Sequence, residues 1–121
     1  MAIQHVHPSA RFSEATVFQG VVYLAGQIPT TGNCIETQMA DVLRQVDALL
    51  AETGSCKRRI LMTTIYLTDI EADYDGMNRV WDAWLADGLA PPRATVQARL
   101  AKPEWKVEVV VTAAQFAEPR S

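Results

Sequence analysis

Ile60-Leu-Met-Thr-Thr-Ile-Tyr-Leu67 decides the fold. Its eight residues are apolar or β-branched almost without a break, the composition of a central strand covered on both faces. Upstream, Ile35, Met39, Val42, Leu43, Val46, Leu49 and Leu50 recur at the 3.6-residue period and form one helical stripe. Asn33 followed by Glu36 resembles a capping box, and Gly54 suits the left-handed stop. Glu36, Asp41, Arg44 and Asp47 form the polar face. Downstream, Tyr74, Met77, Trp81, Trp84 and Leu85 define a second helix, with Asp73 as its expected N-cap and Gly88 as its stop. Trp81 and Trp84 are expected to pack against the sheet, as aromatic residues at helical spacing usually do.

Further out, Ala15-Thr-Val-Phe18, Gln19-Gly20 and Val21-Val-Tyr-Leu-Ala25 read as a hairpin with a two-residue turn. Thr95–Leu100 and Lys106–Ala113 read as two further strands. The expected order is β-β-α-β-α-β-β. Helical crossovers and short turns then imply an α+β fold of two layers, a mixed sheet with both helices on one face. Helices on one face leave the other bare. Val21-Val22 and Val109-Val110-Val111 nevertheless put apolar residues on both, so self-association is the expected cover.

The chain of 121 residues suits a single domain spanning 1–121. Hydrophobic residues at 49% and charged residues at 21% argue for a folded core and against disorder. A net charge of -3 disfavours nucleic acid as a partner. No apolar run reaches the ~20 residues of a membrane span, and the N-terminus lacks the features of a secretory signal. Cys34 and Cys56, outside any Cys-x-x-Cys pair, fit two reduced thiols in a cytoplasmic protein. His5 and His7 alternate near the N-terminus but are too few for a metal site. No nucleotide or cofactor fingerprint is present, so neither a metal nor a cofactor is expected.

Two charged residues draw notice. In Ala90-Pro-Pro-Arg-Ala-Thr95, Arg93 follows a stiff Pro-Pro entry at the mouth of a strand. It is either a solvated arginine or a fork for a carboxylate. Glu108 interrupts Lys106-Val-Glu-Val-Val-Val111, and either lies on a solvated face or is held for a purpose. A simple hairpin of the last two strands would put Glu108 opposite Ala98 and Arg93 roughly 17 Å away. A common site then needs a bulge, another pairing or a subunit boundary.

Pro92-Arg-Ala-Thr-Val96 with Lys106-Val-Glu-Val109, and Ala25-Gly-Gln-Ile-Pro29 upstream, resemble the signature blocks of the Rid (YjgF-like) proteins, the reactive intermediate deaminases. The resemblance spans nearly the whole chain. It implies a chorismate-mutase-like domain, a homotrimer with ligand clefts between subunits, and hydrolysis of imines and enamines such as 2-aminoacrylate to 2-oxo acids and ammonia. By that resemblance Arg93 grips a substrate carboxylate, Glu108 positions or activates water, and Gly26 lines the cleft. Phe12, Ala25 and Thr95 occupy substrate-binding positions where many members carry tyrosine, serine and cysteine. The short loop Thr30-Thr-Gly-Asn33 and the stretch Met77–Trp84 look like a divergent subgroup. The alternatives to catalysis are a small-carboxylate or 2-oxo acid binding module using the same cleft, and a scaffold.

Overall fold

The computed structural model describes residues 2–117. Strands β1 (Gln4–Pro8), β2 (Ser13–Phe18) and β3 (Val21–Leu24) come first. Helix α1 (Ile35–Glu52), strand β4 (Ile60–Leu67), helix α2 (Ile70–Trp84), and strands β5 (Arg93–Gln97) and β6 (Val107–Ala114) follow. They form a six-stranded mixed sheet in the order β1-β2-β3-β6-β4-β5, with both helices on one face. The expected α+β architecture is therefore present, with β1 added at one edge.

Gln19 and Gly20 both adopt positive φ, 50° and 81°, and close the β2–β3 hairpin. Two positive φ values match the twist of the flanking strands, which explains the Gln-Gly pair. The helix caps differ from expectation. Cys34 rather than Asn33 caps α1, and its N–H donates to Thr37 Oγ1 at 3.3 Å. Asp69 rather than Asp73 caps α2, accepting from the Ala72 N–H at 3.1 Å. The helix ends at Trp84, before Gly88.

Met39, Val42, Val46 and Leu50 of α1 and Met77 of α2 are fully buried against Val22, Ile65, Leu67, Val107 and Val109 of the sheet. Trp81 joins this core, while Trp84 turns toward α1 and donates its Nε1–H to Asp47 Oδ2 at 2.8 Å.

Two expectations about the strands are corrected. β5 and β6 do not form a hairpin, because β4 lies between them, parallel to β5 and antiparallel to β6. The β4-α2-β5 crossover makes that first pair parallel. β5 also spans Arg93–Gln97 rather than reaching Leu100. Second, β4 is one strand in from the edge and only one of its faces is covered. Thr63, Ile65 and Leu67 are buried under the helices, whereas Met62 on the other face is 40% exposed. Tyr23 at 47% and Val96 at 44% lie on the same bare face. Within one chain this half-apolar surface has no cover.

Among the described residues no helix is long and apolar enough to cross a membrane. Cys34 and Cys56 are free thiols. His5 and His7 lie on β1, where His7 Nε2 meets Glu52 Oε2 at 2.6 Å. No group of three or more His, Cys, Asp or Glu among the described residues is placed to hold a metal ion.

Candidate active site

β6 alternates strictly. Val107, Val109, Val111 and Ala113 point into the helix-side core, so Glu108 takes the bare face. There it sits in register with Tyr66 of β4. The neighbouring β3–β6 ladder contains a fault. Tyr23 pairs with Thr112, and pairing resumes at Gln27 with Val109. Four steps on one side meet three on the other, so the Leu24–Gly26 segment carries one extra residue. Such a bulge re-aims the chain locally.

Gly26 lies in that bulge. A Cβ there would collide with Glu108 Oε2 and approach Glu108 Cδ to 2.8 Å. The glutamate therefore lies across bare backbone, which only glycine permits. Phe12, Glu14, Gln27 and Trp105 join Gly26 and Glu108 around a cleft of about 430 Å³. Burial in this cleft raises the Glu108 pKa above the usual carboxylate value.

The cleft wall is held from behind. Gln27 is buried, and its backbone bonds Val109 in both directions at 2.8 and 3.1 Å. Its Nε2–H₂ donates to the Ala25 carbonyl at 3.0 Å and to Glu14 Oε1 at 3.4 Å. Ala25 itself contributes backbone, its N–H donating to the Glu14 carbonyl at 2.8 Å. Asp41 of α1 fixes the next loop by accepting from the Thr30 N–H at 2.8 Å and the Thr30 hydroxyl at 3.0 Å. Gln45 spans from Asp41 to the Ile28 carbonyl, 2.9 Å from each.

Arg93 is built into a different place. It opens β5 in register with Thr63, on the helix side of the sheet. Its Nη1–H donates to Asn78 Oδ1 at 2.7 Å and its Nη2–H to the Tyr74 hydroxyl at 3.3 Å. The guanidinium carbon is 5.5 Å from the Trp81 ring centre and 5.9 Å from that of Tyr74. Such contacts fix the fork on α2 while leaving several of its five N–H groups free. Thr95, two residues on, shares this face. Its Oγ1 is buried without a hydrogen-bond partner among the described residues, as is that of Thr63 beside Arg93.

The expected site residues thus fall into two groups. Phe12, Gly26 and Glu108 share the cleft, with Ala25 behind it. Arg93 and Thr95 share the β5–α2 corner on the opposite face. Two strand spacings and three residues separate the Arg93 and Glu108 backbones, or about 14 Å. The sequence alone pointed to neither Glu14, Trp105 nor Asn78. Gln27 stood inside the quoted Ala25–Pro29 block, and Glu14 two residues after Phe12.

A family model described as Endoribonuclease L-PSP matches residues 2–115. A RutC family protein of Haemophilus ducreyi is 48% identical over 113 residues, covering 93% of this chain and 96% of the relative. The RutC family protein YoaB of Escherichia coli is 40% identical, covering 94% and 99%. The crystal structure of NMB1025, a YjgF family member from Neisseria meningitidis, superposes with a TM-score of 0.94 at 47% identity, covering 98% of each chain. A Rid family protein of unknown function from Yersinia pestis superposes at 0.87 with 28% identity, covering 93% and 99%. Matched in sequence over residues 2–115 and in fold over 98% of its length, the chain belongs to the Endoribonuclease L-PSP family and is a Rid/YjgF-like protein.

Proposed function

We propose that this protein hydrolyses 2-imino acids and their enamine tautomers to 2-oxo acids and ammonia, in a site assembled between copies of the chain. The observation that carries this reading is Glu108 lying across Gly26, a carboxylate of raised pKa inside a walled cleft. A carboxylate so placed can accept a proton from water near neutral pH. The reacting partner is an iminium carbon, R–C(=NH₂⁺)–COO⁻. Water adds to that carbon, Glu108 takes its proton, and the tetrahedral adduct expels ammonia as the C=O bond forms. The proton on Glu108 passes to the leaving nitrogen, and Glu108 then carries the adduct's hydroxyl proton to the departing ammonia as the C=O bond forms, so the products are the 2-oxo acid and ammonium.

The substrate carboxylate calls for a bidentate donor, and Arg93 has one ready. Because Arg93 lies on the far face of its own sheet, the arginine serving each Glu108 comes from a neighbouring copy. The bare face with Tyr23, Met62 and Val96 supports such packing, and three copies close a ring without leaving an open end. Thr95, two residues from Arg93 on the same face, keeps its unpartnered hydroxyl buried and is a second-line candidate for the same ligand. In this reading the reaction takes no metal or organic cofactor.

The family description names a ribonuclease. A phosphodiester suits this cleft poorly, since each chain lines it with two carboxylates and no Lys, Arg or His, which leaves the neighbour's Arg93 as its one arginine. A second reading, binding of a small carboxylate or 2-oxo acid without turnover, is favoured by Phe12 and Ala25, which bring no hydroxyl to the site.

The test couples amino-acid oxidases to the purified protein and follows 2-oxo acid release. Acceleration that Arg93→Ala abolishes supports hydrolysis. Absence of acceleration with every imino acid, by folded and assembled protein, contradicts it and leaves the binding reading. Light scattering that gives a monomer at micromolar concentration contradicts the shared site.

A further inference from the structure

The hydrolysis proposed above uses one carboxylate, yet the cleft holds two. Glu14 lines the same 430 Å³ as Glu108, and its Oε1 is met only at 3.4 Å by the Gln27 amide. No Lys, Arg or His of the same chain is among the ten lining residues, although Lys102 Nζ lies over the ring of the lining Trp105, 5.8 Å from its centre. Phe12 and Trp105 supply aromatic walls, and the Trp105 ring already carries one cation, Lys102. Arg93 stands on the other face of the sheet, bound to Asn78, and does not reach Glu14 within one chain. A ligand carboxylate gripped by a neighbour's arginine would thus leave its far end between Glu14, Phe12 and Trp105.

We infer that Glu14 is a specificity residue that selects imino acids carrying a cationic side chain and rejects those carrying an acidic one. This rests on the cleft reading above. An ammonium or guanidinium group gains a charge-assisted contact at Glu14. A side-chain carboxylate meets two like charges in a partly desolvated space, which is discrimination by repulsion. An uncharged side chain such as that of leucine gains and loses little.

The experiment compares imino acids generated in situ from arginine, leucine and glutamate. Wild-type kcat/KM is expected to favour the arginine-derived over the glutamate-derived substrate by at least about tenfold, the scale of one charged hydrogen bond. Glu14→Gln keeps the side-chain shape. It should collapse most of that ratio, chiefly by raising KM for the arginine-derived substrate. An unchanged ratio, or a wild-type preference for the glutamate-derived substrate, overturns the inference while the hydrolysis reading stands.

A calorimetric arm needs no turnover. It titrates 2-oxo-5-guanidinovalerate and 2-oxoglutarate into wild type and Glu14→Gln. Tighter binding of the guanidino acid, lost in the variant, supports Glu14 even where no imine is hydrolysed, and then only the hydrolysis reading falls. Equal affinity for both acids in wild type overturns the inference.

Discussion

Arg93 and Glu108 face away from each other through a single sheet. Arg93 shares its row with Thr63 and Val111 on the helix side, whereas Glu108 shares its row with Tyr66 and Val96 on the bare side. Within one chain Arg93 does not line the Glu108 cleft. Either the two residues serve separate purposes, or a neighbouring chain brings its β5 edge to the Glu108 cleft. The bare apolar face favours the second arrangement.

Gly26 tests the cleft without touching its chemistry. Gly26→Ala places a methyl group where Glu108 Oε2 lies. The obstructed atoms belong to the end of a flexible side chain, so the carboxylate swings aside rather than the fold breaking. We expect Tm within a few degrees of wild type and imine hydrolysis down by about a hundredfold, the effect of an ångström-scale misplacement. Equal activity in the variant would show that the Glu108 position is unimportant.

Glu108 also sets a pH limb. Its pKa is raised by burial, and it acts as a base only when ionised. Activity should therefore fall as pH drops through a value above the ordinary glutamate range, and Glu108→Gln should abolish the limb together with the rate. Stability runs the other way. A carboxyl with a raised folded-state pKa favours folding while protonated, and this advantage is lost as pH rises from the unfolded value through the folded one. At neutral pH, Glu108→Gln should be at least as stable as wild type in urea titrations.

Asn78 acts through Arg93. Its Oδ1 holds Nη1 at 2.7 Å. Removing it by Asn78→Ala frees the guanidinium to sample other rotamers. We expect KM to rise about tenfold with kcat nearly unchanged, the pattern of a lost binding contact. A fall in kcat alone would assign Asn78 a different part.

Asp41 carries the loop behind the cleft. Burial pushes its pKa up, but the Thr30 N–H and hydroxyl, the Gln45 amide and the Arg44 charge outweigh this and hold it below the usual value. Its contribution is therefore present above the unfolded-state pKa and is lost as pH falls through the lower folded one. Asp41→Asn should cost about 1–3 kcal/mol at pH 7: one amide oxygen still accepts from Thr30 and Gln45, but the charge that strengthens those bonds is gone and an NH₂ group faces Arg44. That gap should narrow in acid, as followed by urea unfolding at both pH values.

Much of this molecule was legible in its sequence, for identifiable reasons. The α1 stripe, the β2–β3 hairpin and the Ile60–Leu67 strand follow from periodicity and turn chemistry, which are local. The cap of α2 was misplaced because Asp69 and Asp73 both suit a first turn, and only the hydrogen bond to Ala72 separates them. β1 was missed because an edge strand such as Gln4–Pro8 is nearly all exposed and shows little apolar pattern. The pairing of β6 with β4 is long-range, and alternation along a strand says which residues share a face but not which strand lies beside it. Glu14 escaped notice for the same reason. Its part in the cleft depends on a bulge at Gly26, which leaves no periodic trace.

Subunit mixing tests the shared site most directly. Arg93→Ala and Glu108→Gln are each expected to be inactive. Unfolded together and refolded as an equal mixture, they should regain about a quarter of wild-type imine hydrolysis, because random assembly pairs an intact Glu108 with an intact neighbouring Arg93 in that fraction of interfaces. A co-assembled mixture as inactive as its parents, beside an active wild type refolded in the same way, would contradict a site built from two chains.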